Sequence, residues 1–183
     1  MKKTLAIMIC ILAAVFCTFA VAESAGKEDY SVVSVNGTFN IRGITPEGYQ
    51  MADIQTNDSM TCYSFRAEDP ARPYFDLVIS FAEDYANVER LNDLTPEEMQ
   101  ELVDDDPTMS NEINYMETGL GTKVMILRSN NPADDYVSFV TIYKGHEVAL
   151  NMFPGEGSTE PLSDEQITRA MQFLTDLDFV PVE

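Results

Sequence analysis

The residue pattern predicts an α+β fold: a mainly antiparallel sheet of six to eight strands with two main helices, arranged as an α/β/α sandwich. Three observations carry this. Strand-like stretches follow one another at hairpin spacing, helix-start signals occur at two separate places, and several strands are apolar on both faces. A parallel α/β fold would instead alternate strand and helix regularly.

The strands begin with "YSVVSV" and "TFNIRGI", which flank Asn36-Gly37, a strong short hairpin signal. "PEGY" at 46–49 is turn chemistry, with Gly48 supplying a positive φ. "SMTCYSFRA" is a further strand. In "YFDLVISFA", Phe75, Leu77, Ile79 and Phe81 share one face at period two, opposite Asp76, Val78 and Ser80. "INYMET" leads through Gly119-Leu120-Gly121 into "TKVMILRS", and "YVSFVTIYK" and "HEVALNMF" join at Gly145. Between these last strands, "NNPADD" at 130–135 is a polar turn. Phe139, Val140, Ile142 and Tyr143 occupy both faces of one strand and "VMIL" is apolar on both, which places these strands centrally, covered on each side.

Two helices interrupt the strands. Thr95 caps the first, Pro96 takes the first helical position, where its missing N–H costs nothing, and Glu98 completes a capping box; Met99, Leu102 and Val103 form its apolar stripe. Ser163 and Gln166 cap the second, whose inner face is Ile167, Ala170, Met171 and Leu174. Leu177, Phe179 and Val180 continue into a short end segment stopped by Pro181.

Domain organisation follows from composition. Lys2 and Lys3, an apolar run over 5–16 and Ala20-Val21-Ala22 make a secretory signal at 1–22, with an uncleaved anchor over 5–22, close to spanning length, as the alternative. Next comes a small polar arm at 23–29 ("ESAGKED"), then a single α+β domain over 30–183. Removing 22 of 183 residues leaves 161, enough for one core. No second spanning run follows the signal, so the exported chain is expected to cross no membrane. Loss of Lys2 and Lys3 takes 11 basic residues to 9 against 31 acids, a formal charge of −22. That charge opposes nucleic acid and anionic lipid and favours basic partners. Cys10 and Cys17 leave with the signal, so Cys62 remains alone and no intramolecular disulfide forms.

The succession "ITPEGY", "FDLVISF", "LNDLTPEEM", "YMETGLGTKVMI", "YVSFVTIYKGHEVALNM" and "SDEQITRAMQFLTDLDF" resembles the PsbP-like superfamily, the group of the photosystem II extrinsic subunit PsbP and DcrB-type secreted proteins. The resemblance covers about residues 32–180 as an order of elements. It implies an α/β/α sandwich around an antiparallel sheet and a non-enzymatic accessory or partner-binding role. No motif accompanies it, so it transfers no functional residue.

The chemistry-bearing residues nominate no catalytic, cofactor-binding or metal site. "DLTPEEMQELVDDDP" at 93–107 is acidic throughout, yet Asp104, Asp105 and Asp106 diverge on a helix and lack the spacing and glycine of a calcium loop. Glu97 and Glu98 suit a helix N-terminus. His146 is the one histidine and Cys62 the one retained thiol, too few soft ligands for zinc. As a nucleophile and base they form the alternative reading, an exported Cys–His or carboxylate hydrolase; an acidic cation-binding protein is a third. Phosphate-loop, dinucleotide, nucleophile-elbow and metalloprotease signatures are missing. Met99, Met125, Met152 and Met171 fall on core faces. The expectation is therefore an exported, non-catalytic binding or accessory protein of the bacterial cell envelope or extracellular space, whether periplasmic, at the cell surface or released. It needs no cofactor, and its partner is another envelope or extracellular protein or a basic ligand.

Overall fold

The computed structural model describes residues 29–33, 37–81, 83–104, 114–117, 121–129 and 135–182. The segment 1–22 expected to be an export signal, the expected arm as far as 28, Asn36, Asp105, Asp106, Gly119, Leu120 and most of the turn at 130–135 lie outside the described residues, as do the side chains of Leu102, Val103 and Asp104.

Ten strands and two α-helices occur among the described residues: β1 (Asp29–Val33), β2 (Phe39–Ile44), β3 (Tyr49–Thr56), β4 (Met60–Ala67), β5 (Tyr74–Phe81), α1 (Pro96–Asp104), β6 (Asn114–Glu117), β7 (Lys123–Arg128), β8 (Val137–Tyr143), β9 (His146–Phe153), α2 (Asp164–Thr175) and β10 (Asp178–Pro181). Seven strands form the main sheet in the order β3-β4-β5-β9-β8-β7-β6, and three form a small sheet, β1-β2-β10. Every pairing in both is antiparallel. Two meanders, β3-β4-β5 and β6-β7-β8-β9, meet where β5 pairs with β9, with α1 in the crossover.

Strand alternation divides the interior into two cores. Phe75, Leu77 and Ile79 of β5, Val137 and Phe139 of β8, and Val148, Leu150 and Met152 of β9 face one side. There they meet Phe39 and Ile41 of β2, Phe179 of β10, and Ala170, Phe173 and Leu174 of α2. Cys62, Val78, Met125, Val140, Ile142 and Ala149 face the other side, closed by Met99 of α1 and Leu91 of a short 3-10 turn (Leu91–Asp93). Phe39, Leu77, Ile79, Phe139 and Leu150 are wholly buried, each stabilising the fold by about 1.5–3 kcal/mol.

The sandwich expected from sequence is thus present, with one outer layer shared between α2 and the small sheet. Both capping boxes form: Glu98 N donates to Thr95 Oγ1 (3.2 Å) and Thr95 N to Glu98 Oε2 (2.8 Å), while Gln166 N donates to Ser163 Oγ (3.3 Å) and Ser163 N to Gln166 Oε1 (2.8 Å). Gly48 has φ 78° as its turn requires. Met99, Met125 and Met152 are buried and Met171 packs partly against the core. The strand reading needs two corrections. β3 was not expected, because as an edge strand it is exposed on both sides and shows no apolar alternation. The end segment is a true strand, β10, held by β2. Phe81 keeps the face it was assigned to, its ring against His146, but at the end of β5 it is 37% exposed.

Candidate functional site

Cys62 and His146 do not meet. Cys62 faces α1, whereas His146 precedes Val148 and Leu150 at period two and faces the small sheet. Cys62 is registered through Val78 to Ala149, three residues along β9 from His146. Two strand spacings and three residue rises put their Cα atoms about 14 Å apart on opposite faces. The sheet itself separates thiol from imidazole, so the Cys–His hydrolase has no geometry to work with. Among the described residues no group of three or more His, Cys, Asp or Glu side chains is placed to hold a metal ion. Glu98 belongs to its capping box.

The face beneath α1 carries a polar row that the sequence reading missed. Ser64, Asp76, Asn151 and Ser138 lie side by side across four adjacent strands, and all four are buried. Ser64 Oγ donates to Asp76 Oδ1 (2.8 Å), Arg66 donates to the same oxygen (3.0 Å), and Ser138 Oγ donates to Asn151 Oδ1 (2.7 Å). The Arg66 guanidinium also lies 4.1 Å from the centre of the Tyr74 ring. Each donor here finds an acceptor, as buried polar groups must. The row ties four adjacent strands in register.

Among the described residues, a cleft opens at the sheet end where β2 begins and β5 and β10 finish. It encloses about 620 Å³ between Thr38, the loop 86–89, Lys144 and Val182. The loop 86–89 and the β8–β9 turn hold each other: Lys144 N donates to Glu89 O (2.8 Å) and Gly145 N to Val88 O (2.9 Å). An added Cβ on Gly145 would come within 3.1 Å of Ala86 O, so the turn seats closely. Lys144 and Gly145 both have positive φ, 48° and 77°, the two-residue geometry that Asn-Gly satisfies at least cost. Lys144 instead holds an L side chain in the left-handed region, and it is the one non-glycine there among the described residues. Its ammonium lies 5.7 Å from the centre of the Tyr143 ring, and the residue lines the cleft together with Glu89.

His146 sits immediately behind this turn and is wholly buried. Its Nδ1 lies 2.9 Å from Lys144 O. A carbonyl can only accept, so Nδ1 carries the proton and the neutral ring leaves a lone pair on Nε2. Nε2 has no hydrogen-bond partner, a condition shared among the described residues with Ser80 Oγ. The ring packs edgewise against Phe39 (5.1 Å) and Phe81 (5.7 Å), and Phe39 in turn meets Tyr143 (5.0 Å) and Phe179 (5.7 Å). Burial pushes the imidazole below its ordinary value, opposed by the Lys144 carbonyl. On the other face, Tyr85 is raised, first by burial and then by the negative Glu147 and Asp84.

No protein-family model matches the chain, and no curated protein matches it either. Among solved structures, the chain is similar to the solution structure of cyanobacterial PsbP (CyanoP) from Synechocystis sp. PCC 6803, at 12% identity, covering 87% of this chain and 96% of that one with a TM-score of 0.49.

Proposed function

We propose that this chain is an exported, non-catalytic binding or accessory protein of the bacterial cell envelope or extracellular space, folded as one domain over 30–183 once 1–22 is removed, and that it holds its partner in the cleft at the β8–β9 turn. The observation that carries the reading is Lys144. A lysine held at φ 48° on a cleft rim costs about 1–2 kcal/mol that glycine would not, and such local strain concentrates where a side chain is used. Glu89 lines the same cleft, and Gly37, Thr38 and Asn87 supply small polar surroundings.

This combination suits a polypeptide segment presenting an acid to Lys144 and a base to Glu89. The formal charge of −20 on the full chain draws a partner of net positive charge towards it. Partner and site are tested together by affinity capture from the producing cell at native salt, using the exported form and its Lys144→Gln variant. The expected result is a discrete partner held by the first and released by the second. Equal capture by both refutes the site, and turnover of a substrate panel with nothing captured refutes the function.

A further inference from the structure

We propose that His146 is an acid-sensitive pin for the β8–β9 turn: protonation at Nε2 loosens the wall of the cleft and weakens its hold on a partner. The proposal rests on reading that cleft as the binding surface and adds its regulation. Nδ1 is committed to the Lys144 carbonyl at 2.9 Å, so a second proton must enter at Nε2. There it would place a charged donor without an acceptor in a nest of Phe39 and Phe81 rings.

Among the described residues, no fixed charge on the surrounding elements relieves it. On the small sheet, Arg42 of β2 and Asp178 of β10 are mutual register partners, exposed and pointing away from the Phe39–Phe179 side. Glu83 beyond β5 is exposed, and Glu147 points to the opposite face of the main sheet. The hairpin offers Tyr143 and Lys144, neither of which supplies a negative charge, and Glu89 and Arg90 of the docked loop are exposed. The ring must therefore reach water. His146 is the first residue of β9 and closes the turn against Tyr143. The smallest movement that exposes it opens residues 143–146 and breaks Lys144 N–H to Glu89 O and Gly145 N–H to Val88 O. Those bonds form one wall of the cleft, and the unwinding also relaxes the left-handed backbone of Lys144.

The sequence makes the test direct, since it contains one histidine and so one imidazole resonance. The imidazole is titrated by NMR while amide exchange, corrected for intrinsic rates, is followed at Lys144 and Gly145, with Leu77 and Leu150 as core controls. The ring is expected to titrate below its ordinary value. Protection at the turn should fall with acidification below about pH 6.5, by up to about tenfold per pH unit, while the core amides hold. In His146→Phe the turn should stay protected throughout. Titration at or above the ordinary value, turn protection that ignores pH, or core and turn loosening together would each overturn the proposal. If His146→Phe does not fold, the wild-type contrast between turn and core still decides. Capture at about pH 5 equal to that at neutral pH overturns the regulation and leaves the binding intact. Capture insensitive to Lys144→Gln at neutral pH overturns the binding reading, and the exchange result is unaffected by it.

Discussion

Replacing Lys144 by Asn separates the cost of this residue from its use. The left-handed backbone at φ 48° costs an ordinary L-residue about 1–2 kcal/mol, of which Asn recovers about half because its short polar side chain bonds locally. Against that gain stands the loss of the ammonium over Tyr143, 5.7 Å from the ring centre, worth about 0.5 kcal/mol at a partly exposed position. The bonds to Glu89 O and Val88 O are made by backbone N–H groups and survive the change. The net effect is a gain of about 0–0.5 kcal/mol, or a rise in Tm of at most about 2 °C for a chain of this length. Urea unfolding should show an unchanged slope and a midpoint equal or higher. The same variant should lose its partner in the capture assay. Destabilisation beyond about 1 kcal/mol would show that the strain argument is wrong. A stable variant that still captures the partner would show that the lysine serves no binding purpose.

Three further outcomes follow from the same structure. Asp76→Ala leaves Arg66 and Ser64 without their shared acceptor; because Arg66 is 24% exposed and water can partly replace the carboxylate, the loss should be about 2–4 kcal/mol by urea midpoint, and a loss under about 1 kcal/mol would deny the row its role. Gly155→Ala forces a Cβ into the Ala71 carbonyl, a backbone clash that should cost about 2–4 kcal/mol; a neutral result would mean that the 154–157 turn is not seated against residues 70–72. Tyr85 is raised above its ordinary value of 10.0, so its contribution is fully present below pH 10 and is lost as pH rises through the folded value. Tyr85→Phe should flatten that alkaline loss, and an alkaline profile identical to wild type would place the phenol in water.

The scaffold was legible in the sequence where burial repeats with a period. β5 alternates, β8 and β9 are apolar on both faces, and both capping boxes appear as S/T-x-x-E/Q, so these elements could be read from residue types alone. β3 escaped because an edge strand with water on both sides has no alternation to show. Phe173 escaped for a related reason: helical spacing favoured Ile167, Met171 and Leu174, while the ring's value comes from Phe65 and Phe75 on distant strands. The polar row was invisible because Asp76 reads as the wet side of a strand until α1 and its flanking turns cover that face. The cleft depends on four chain segments brought together by register. "YKGHE" marks a turn with glycine, but the positive φ of Lys144 accompanies docking against the loop 86–89, and the isolation of His146 Nε2 comes from the Phe39 and Phe81 rings of other strands.

Site-directed photocrosslinking in the producing cell tests the binding claim most directly. A crosslinking residue is placed at exposed Asn87 on the cleft, with exposed Ile54 on the β3 edge and exposed Thr168 on α2 as comparisons. The account predicts a discrete adduct from position 87 that disappears when Lys144→Gln is added, and none from positions 54 or 168. An adduct from the β3 edge or α2 with none from the cleft would contradict it.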